Sequence, residues 1–460
     1  MTLNQGASPY LLSAPSAESI PDGADVVVIG GGPAGSSLAT LLAREGVEVV
    51  LLEKQAFPRP QVGESILPHV WKYLDLLDVT EKIKQEGFLT KGGGIIAWDG
   101  MVQQLRFTNF GYSNPDRMGL HVERDIFDDI LLRHASCQGA NIFEEVKVRS
   151  VDFTDQEVPV VYYSDRRKGR FANGEIACQY VVDASDHNAL LARQMNGHRL
   201  VSDEQNYLGL WGYYRNSRFL GVDQAIHDPA DMRIVRPVTF VTSFEDGWIW
   251  HIILRESASV GLVINRDQVR GMGKEVQTEY LQETCTKVAI LRDLLESAEY
   301  IEGSTFFRPD YSYYNEMATG ENFYCIGDAG GFVDPIFSQG VQAAFFNAAV
   351  AAWAIKSSLV NGSRRGHYSK LAGYQMQRYY GFSRLLALGD FGTQGIDSQA
   401  VISMMRAMPR NEIELALAAA FTTNRSANLR RMAREAGMTT DLGDDLGRSK
   451  LTPIENLQFN

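Results

Sequence analysis

The sequence predicts an α/β protein of two lobes followed by a helical C-terminal region. Three observations carry that reading. A strand–helix–strand unit fits inside residues 25–53, alternating apolar runs fill residues 200–304, and helical spacing runs from about 340 to 437. The 460 residues exceed one ordinary domain, and with 45% hydrophobic and 22% charged residues the chain has enough apolar side chains for a large core.

Residues 1–23 are rich in Ser, Pro, Ala and Gly and read as a loose tail. The β-branched run Asp25–Ile29 then has the profile of a buried parallel strand. Leu38, Leu41 and Leu42 recur at helical spacing and Gly46 is a helix stop, so residues 34–45 read as a helix. Val47–Leu52 reads as a second buried strand, which completes a βαβ unit. A helix begins near Arg124 with Ile126, Phe127, Ile130 and Leu131 on one face, and Tyr180–Ala184 reads as another strand. Leu208–Tyr214 and Trp248–Ile253 alternate, which predicts an antiparallel sheet over 200–304 that covers a site on the first lobe. Phe323–Ile326 reads as a strand returning to that lobe. The predicted boundaries are therefore 24–199 with 305–360, 200–304, and 361–460.

Composition excludes several functions. The net charge of −12 argues against a nucleic-acid surface and against binding to anionic membranes. The first basic residue is Arg44, so no secretory signal is expected, and no run approaches 18 uncharged apolar residues. Cys137, Cys178, Cys285 and Cys325 form no CxxC pair, which predicts neither a zinc site nor a disulfide framework and fits a reducing cytoplasm. No metal is expected.

Gly30, Gly32 and Gly35 occupy the three glycine positions of G-x-G-x-x-G, with Pro33 and Ala34 between the last two. The first allows a tight turn, the second lets backbone approach a pyrophosphate, and the third packs helix on strand. Glu53, with Lys54 after it, ends the second strand 23 residues after Gly30, where a carboxylate accepts hydrogen bonds from a ribose. The motif predicts a dinucleotide and does not separate FAD from NAD.

Gly327-Asp328-Ala329, then Asp334-Pro335 and a small-residue helix with Gly340 and Val341, resembles the second flavin motif of the FAD-dependent monooxygenase superfamily. Arg124 resembles that superfamily's arginine near the cofactor, and Asp183-Ala184-Ser185-Asp186 stands where its members often have Asp-Ala-Ser/Asp-Gly. The resemblance implies a Rossmann-like FAD-binding domain of the para-hydroxybenzoate-hydroxylase (GR2) type. It also implies that Asp328 binds the ribityl chain while a helix N-terminus faces the isoalloxazine. No second G-x-G-x-x-G lies between 150 and 200, so a separate NAD(P)H-dependent flavin reductase is expected to supply reduced flavin.

Three further stretches resemble the flavin-dependent halogenases, especially those acting on phenols and pyrroles. They are Gly63-Glu64-Ser65 with Leu67-Pro68, Lys91-Gly92-Gly93 leading to Trp98, and Trp248-Ile249-Trp250-His251-Ile252, where Ile253 replaces that family's proline. The likeness covers about residues 25–350. It implies that FADH2 and O2 form a C4a-hydroperoxide, and that a chloride or bromide held by the amides of Gln339 and Gly340 becomes hypohalous acid. Lys91 would then steer the halogen to a small aromatic substrate, free or tethered to an acyl or peptidyl carrier protein. Glu64 and His251 are candidates for the base. A residue other than the family's Thr or Ser at Gln339 and the missing proline keep an FAD-dependent hydroxylase open. A flavin reductase or dehydrogenase, and a flavin-binding protein without turnover, also stay open.

Overall fold

The computed structural model describes residues 19–438 except 99, 156, 170–171, 196–198, 202–206, 312, 316–317, 389–396 and 424–426. Most of the predicted N-terminal tail and the last part of the C-terminal region lie outside the described residues.

The Val26–Ile29 segment is fully apolar and buries both faces away from solvent, as a central parallel strand must. Strand Gly23–Ile29 pairs in parallel with Val49–Leu52 on one side and with the long strand Ala172–Asp183 on the other. Asn141–Phe143 extends the sheet beyond Val49–Leu52, and Phe323–Cys325 pairs with Val181–Asp183. Val160–Asp165 and Val146–Asp152 add an antiparallel wing. One face of this seven-stranded sheet is covered by helices Pro33–Ala43, Arg124–Cys137 and Gly340–Val360.

The second sheet has eight strands. The alternating segments form its centre: Tyr207–Arg215, Ala258–Asn265, Gly247–Ile253 and Val238–Phe244 are antiparallel neighbours. The predicted purely antiparallel lobe over 200–304 differs from this in two respects. Gly93–Trp98 enters in parallel beside Val238–Phe244, bringing Met101–Arg106 with it, and Phe306–Tyr311 pairs with Tyr207–Arg215. Local periodicity cannot show such a pairing, because its partner is more than a hundred residues away in sequence.

A three-stranded sheet joins the lobes. Ser65 lies opposite His121, and Lys91 lies opposite Gly119 on the other edge. Side chains two apart on a strand share a face, so Ser65, His121 and Lys91 point the same way. Gly119 supplies the space, since a Cβ there would sit 2.6 Å from Cε2 of Phe107.

After 360 the described chain is helical: Arg365–Leu388, Ser398–Ala407, Arg410–Thr423 and Ala427–Glu435. These pack with Phe107, Phe110, Met118, Val241 and Trp248 in one core against the second sheet. Helix Gly340–Val360 is long and apolar enough to cross a membrane by length and composition alone, but Gln342, Asn347 and Lys356 interrupt it, so it is not a run of 18 uncharged apolar residues. It packs between Pro33–Ala43 and Arg365–Leu388.

The first βαβ turn has no spare room. A Cβ on Gly35 would lie 2.0 Å from the carbonyl oxygen of Gly30, so Gly35→Ala must pry helix from strand. The expected cost is about 3 kcal/mol, read as a lowered urea midpoint. An unchanged midpoint would mean that the turn has slack.

Candidate functional site

A cavity of about 440 Å³ runs from the Gly30–Gly35 turn, under helix Gly340–Val360, to the face of the second sheet. The sequence-predicted residues Gly30, Gly32, Pro33, Ala34, Glu53, Lys54, Arg124, Gly327, Asp328, Gly340 and Val341 all line it. Gly35 sits behind the turn, packed on Gly30.

Each part has a physical reason. Gly30 has φ +107°, and a Cβ there would lie 2.4 Å from the Ala184 carbonyl. Gly32 has only the Arg59 guanidinium near it, so its backbone faces the cavity. No side chain caps helix Pro33–Ala43, which leaves its first N–H groups to a ligand. One Glu53 oxygen accepts from the Gly31 N–H at 2.8 Å and the other from the Gln55 N–H at 2.8 Å, fixing the carboxylate at the cavity end. Arg124 is tied to Asp128 through Nε at 2.8 Å and Nη2 at 3.0 Å, and donates to the Val62 carbonyl. It shapes the loop that carries Gly63 and Glu64.

Asp328 faces Asp186 across the cavity floor. Burial and the charge of Asp186 push Asp328 up to about 8. Burial would also raise Asp186, but Arg308, at 3.0 Å, holds it below the usual carboxylate range. The pair thus holds one proton near neutrality and can present both a donor and an acceptor to a polyol chain. Asp186 adopts φ +62°, so the position where relatives carry Gly does take a left-handed turn here. The glycine cradle, the uncapped helix, the fixed carboxylate and this acid pair fit FAD.

At the other end, Pro335–Phe337 forms one helical turn, capped by Asp334, whose side chain accepts from the Ile336 N–H at 2.8 Å. Burial pushes Asp334 up to about 7. Ser338 follows with φ 56°, and Gln339 begins helix Gly340–Val360, which no side chain caps. The Gln339 carboxamide points away from the cavity and accepts from Ser383 at 2.8 Å. Only backbone at Gln339 and Gly340 is therefore available to an anion.

The resemblance gives Lys91 the part of steering the halogen from cofactor to substrate. The structure places its amine one hydrogen bond behind the cavity wall. Nζ donates to Ser65 Oγ at 2.7 Å, lies 5.4 Å from the Phe107 ring, and the residue is 3% exposed. Burial pulls its pKa from 10.5 down to about 7. Ser65 Oγ is 2.8 Å from Ser338 Oγ and 2.9 Å from Thr239 Oγ1, which is 2.9 Å from His121 Nε2. Sequence reasoning missed Thr239, His121 and Ser338. They come from three distant segments, and only the sheet pairing that brings Ser65 beside His121 signals them.

Trp248, Trp250 and Ile252 face the cavity, with the indole rings 5.9 Å apart. His251 alternates to the opposite face, where Nε2 meets Ser217 Oγ at 2.8 Å, so it is not placed to act as a base. Glu64 does line the cavity. It accepts from the Tyr213 hydroxyl at 2.7 Å, and burial raises its pKa.

The family model described as an FAD binding domain matches residues 23–379. One flavin-dependent halogenase of Armillaria mellea is 34% identical over 353 residues, covering 74% of this chain and 68% of its own length. The tryptophan 2-halogenase of Chondromyces crocatus is 33% identical over 340 residues, covering 74% and 62%. The chain thus spans about two thirds of the length of these curated relatives. Among solved structures, the myxobacterial chondrochloren halogenase superposes with a TM-score of 0.71 at 28% identity, over 87% of this chain and 97% of that one.

Burial of Lys91 makes a thermodynamic prediction. Its folded pKa, about 7, lies below the unfolded 10.5, so the penalty for a sealed ammonium is complete below about pH 7 and is relieved as pH rises toward 10.5. Lys91→Met should therefore be more stable than the parent at pH 6, with the gap closing at higher pH. A pH-independent gap in thermal melts would place the amine in water.

Proposed function

The chain belongs to the FAD-binding family and, within it, to the flavin-dependent halogenases, and on that premise we propose that it halogenates an electron-rich aromatic ring through Lys91. The observation that carries this reading is an amine removed from water, one hydroxyl away from the cavity between the cofactor cradle and the tryptophan wall. A phenol or a pyrrole, free or tethered to a carrier protein, is the substrate class. A separate flavin reductase supplies the reduced cofactor.

FAD, once bound and reduced, supplies the electrons with which O2 is activated to oxidise halide. The protein's own part is positioning. Gly30, Gly32, Gly35 and Glu53 hold the dinucleotide end, and Asp328 with Asp186 meets the polyol chain. The backbone amides at Gln339 and Gly340, at the positive end of a 21-residue helix, hold halide. Trp248, Trp250 and Ile252 wall off the far side and keep hypohalous acid from bulk water. Lys91 binds that acid and directs its halogen. As the halogen–oxygen bond breaks, a carbon–halogen bond forms and the ring proton leaves, so hypohalous acid and arene give haloarene and water. Glu64, whose pKa burial raises, lines the same cavity and is the candidate acid–base group.

Lys91→Ala should cut bromide incorporation into a panel of phenols and pyrroles by roughly 100-fold or more. FAD affinity, read by flavin fluorescence, should not change. Product masses carrying one added oxygen in the parent would instead select a hydroxylase, and undiminished bromination in the variant would remove Lys91 from the reaction.

A further inference from the structure

His121 is fully buried, belongs to neither the cofactor cradle nor the tryptophan wall, and no carboxylate among the described residues touches it. Its Nε2 is the end of a chain of hydroxyls: Thr239, then Ser65, then the amine of Lys91. Ser338, on the turn leading to the proposed halide amides, joins the chain at Ser65.

We propose that His121 is a positioning residue for Lys91, acting through Thr239 and Ser65 to fix the direction in which the Ser65 hydroxyl points. This rests on the halogenase reading for its purpose, but not for its geometry.

The tautomer of His121 sets the arrangement. A lysine amine donates to Ser65 Oγ. Burial and the charge of Lys91 keep His121 neutral; His251 acts in the same direction, and only the Ile253 carbonyl opposes them. A neutral ring whose Nε2 carries no proton accepts from Thr239. Thr239 has then spent its only proton and must accept from Ser65. Ser65 has spent its own proton in turn, so its lone pairs face both Lys91 and Ser338, and Ser338 donates inward. Every hydroxyl in the chain is satisfied in a single sense, and each bond polarises the next. The result is a strong acceptor aimed at Lys91, and a Ser338 whose lone pairs, not its proton, face the cavity. The opposite tautomer reverses the sense and turns the Ser338 proton toward the proposed halide site. His69 also feels the charge of Lys91, with Lys72 acting in the same direction, and burial is the cause that lowers Lys91 itself.

Thr239→Val is nearly isosteric and cuts the chain, whereas Thr239→Ser keeps it. The test follows reductive methylation of Lys91 against pH in the full chain, read by peptide mass, beside steady-state bromination. Loss of a cooperative acceptor lowers the amine's pKa. Thr239→Val should therefore move the labelling midpoint to lower pH and reduce kcat about tenfold with KM unchanged. Thr239→Ser should restore both, and ¹⁵N shifts should show His121 neutral with Nε2 unprotonated. Superimposable labelling profiles for Thr239→Val and parent, a Ser variant as impaired as the Val variant, or a protonated Nε2 would each overturn the relay. A shifted labelling profile in a parent that brominates nothing would leave the relay standing and remove the halogenase reading.

Discussion

An amine held out of water with a hydroxyl as its acceptor is the constraint around which the rest of this structure is arranged. A charged ammonium in such a place is costly, and the protein does not offset that cost with a carboxylate. Burial alone brings Lys91 to about 7, so both its charged and neutral forms are accessible near physiological pH. An anion beside it would have fixed it as ammonium. The site is therefore built from hydroxyls, an imidazole and an aromatic ring, each of which orients the amine without locking its charge.

The architecture that achieves this joins the two lobes. The small sheet of Ser65–Ile66, Leu89–Lys91 and Gly119–His121 sets the amine beside its acceptor, and its register leaves a glycine opposite the lysine. The second large sheet contributes Thr239 and the tryptophan wall, and the first lobe contributes the turn with Ser338 at the head of a long helix. The C-terminal helices then pack over Phe107 and Phe110 and close the apolar side. A cofactor cradle and an amine from distant parts of the sequence are thus brought to one cavity, the amine behind its wall through Ser65.

Much of the first lobe was legible in the sequence because its signals are local. The glycine turn, the apolar strands around it and Glu53 sit within 30 residues, and each states its own geometry. The Asp328 region was legible by resemblance. What stayed hidden depends on distant pairing. Nothing near Gly93 announces a parallel partner at Val238, and nothing near His121 or Thr239 marks either as a neighbour of Lys91. His251 illustrates the converse, since its place within a tryptophan motif suggested the site, while strand alternation turns it away. At Asp186, where the superfamily often has Gly, the structure shows a left-handed turn tolerated by Asp.

The most direct measurement is a ¹⁵N titration of the Lys91 amine in the intact protein, assigned by comparison with a variant lacking that side chain. The account predicts a midpoint near 7, far below the ordinary 10.5. A midpoint close to 10.5 would show a solvated ammonium and contradict it.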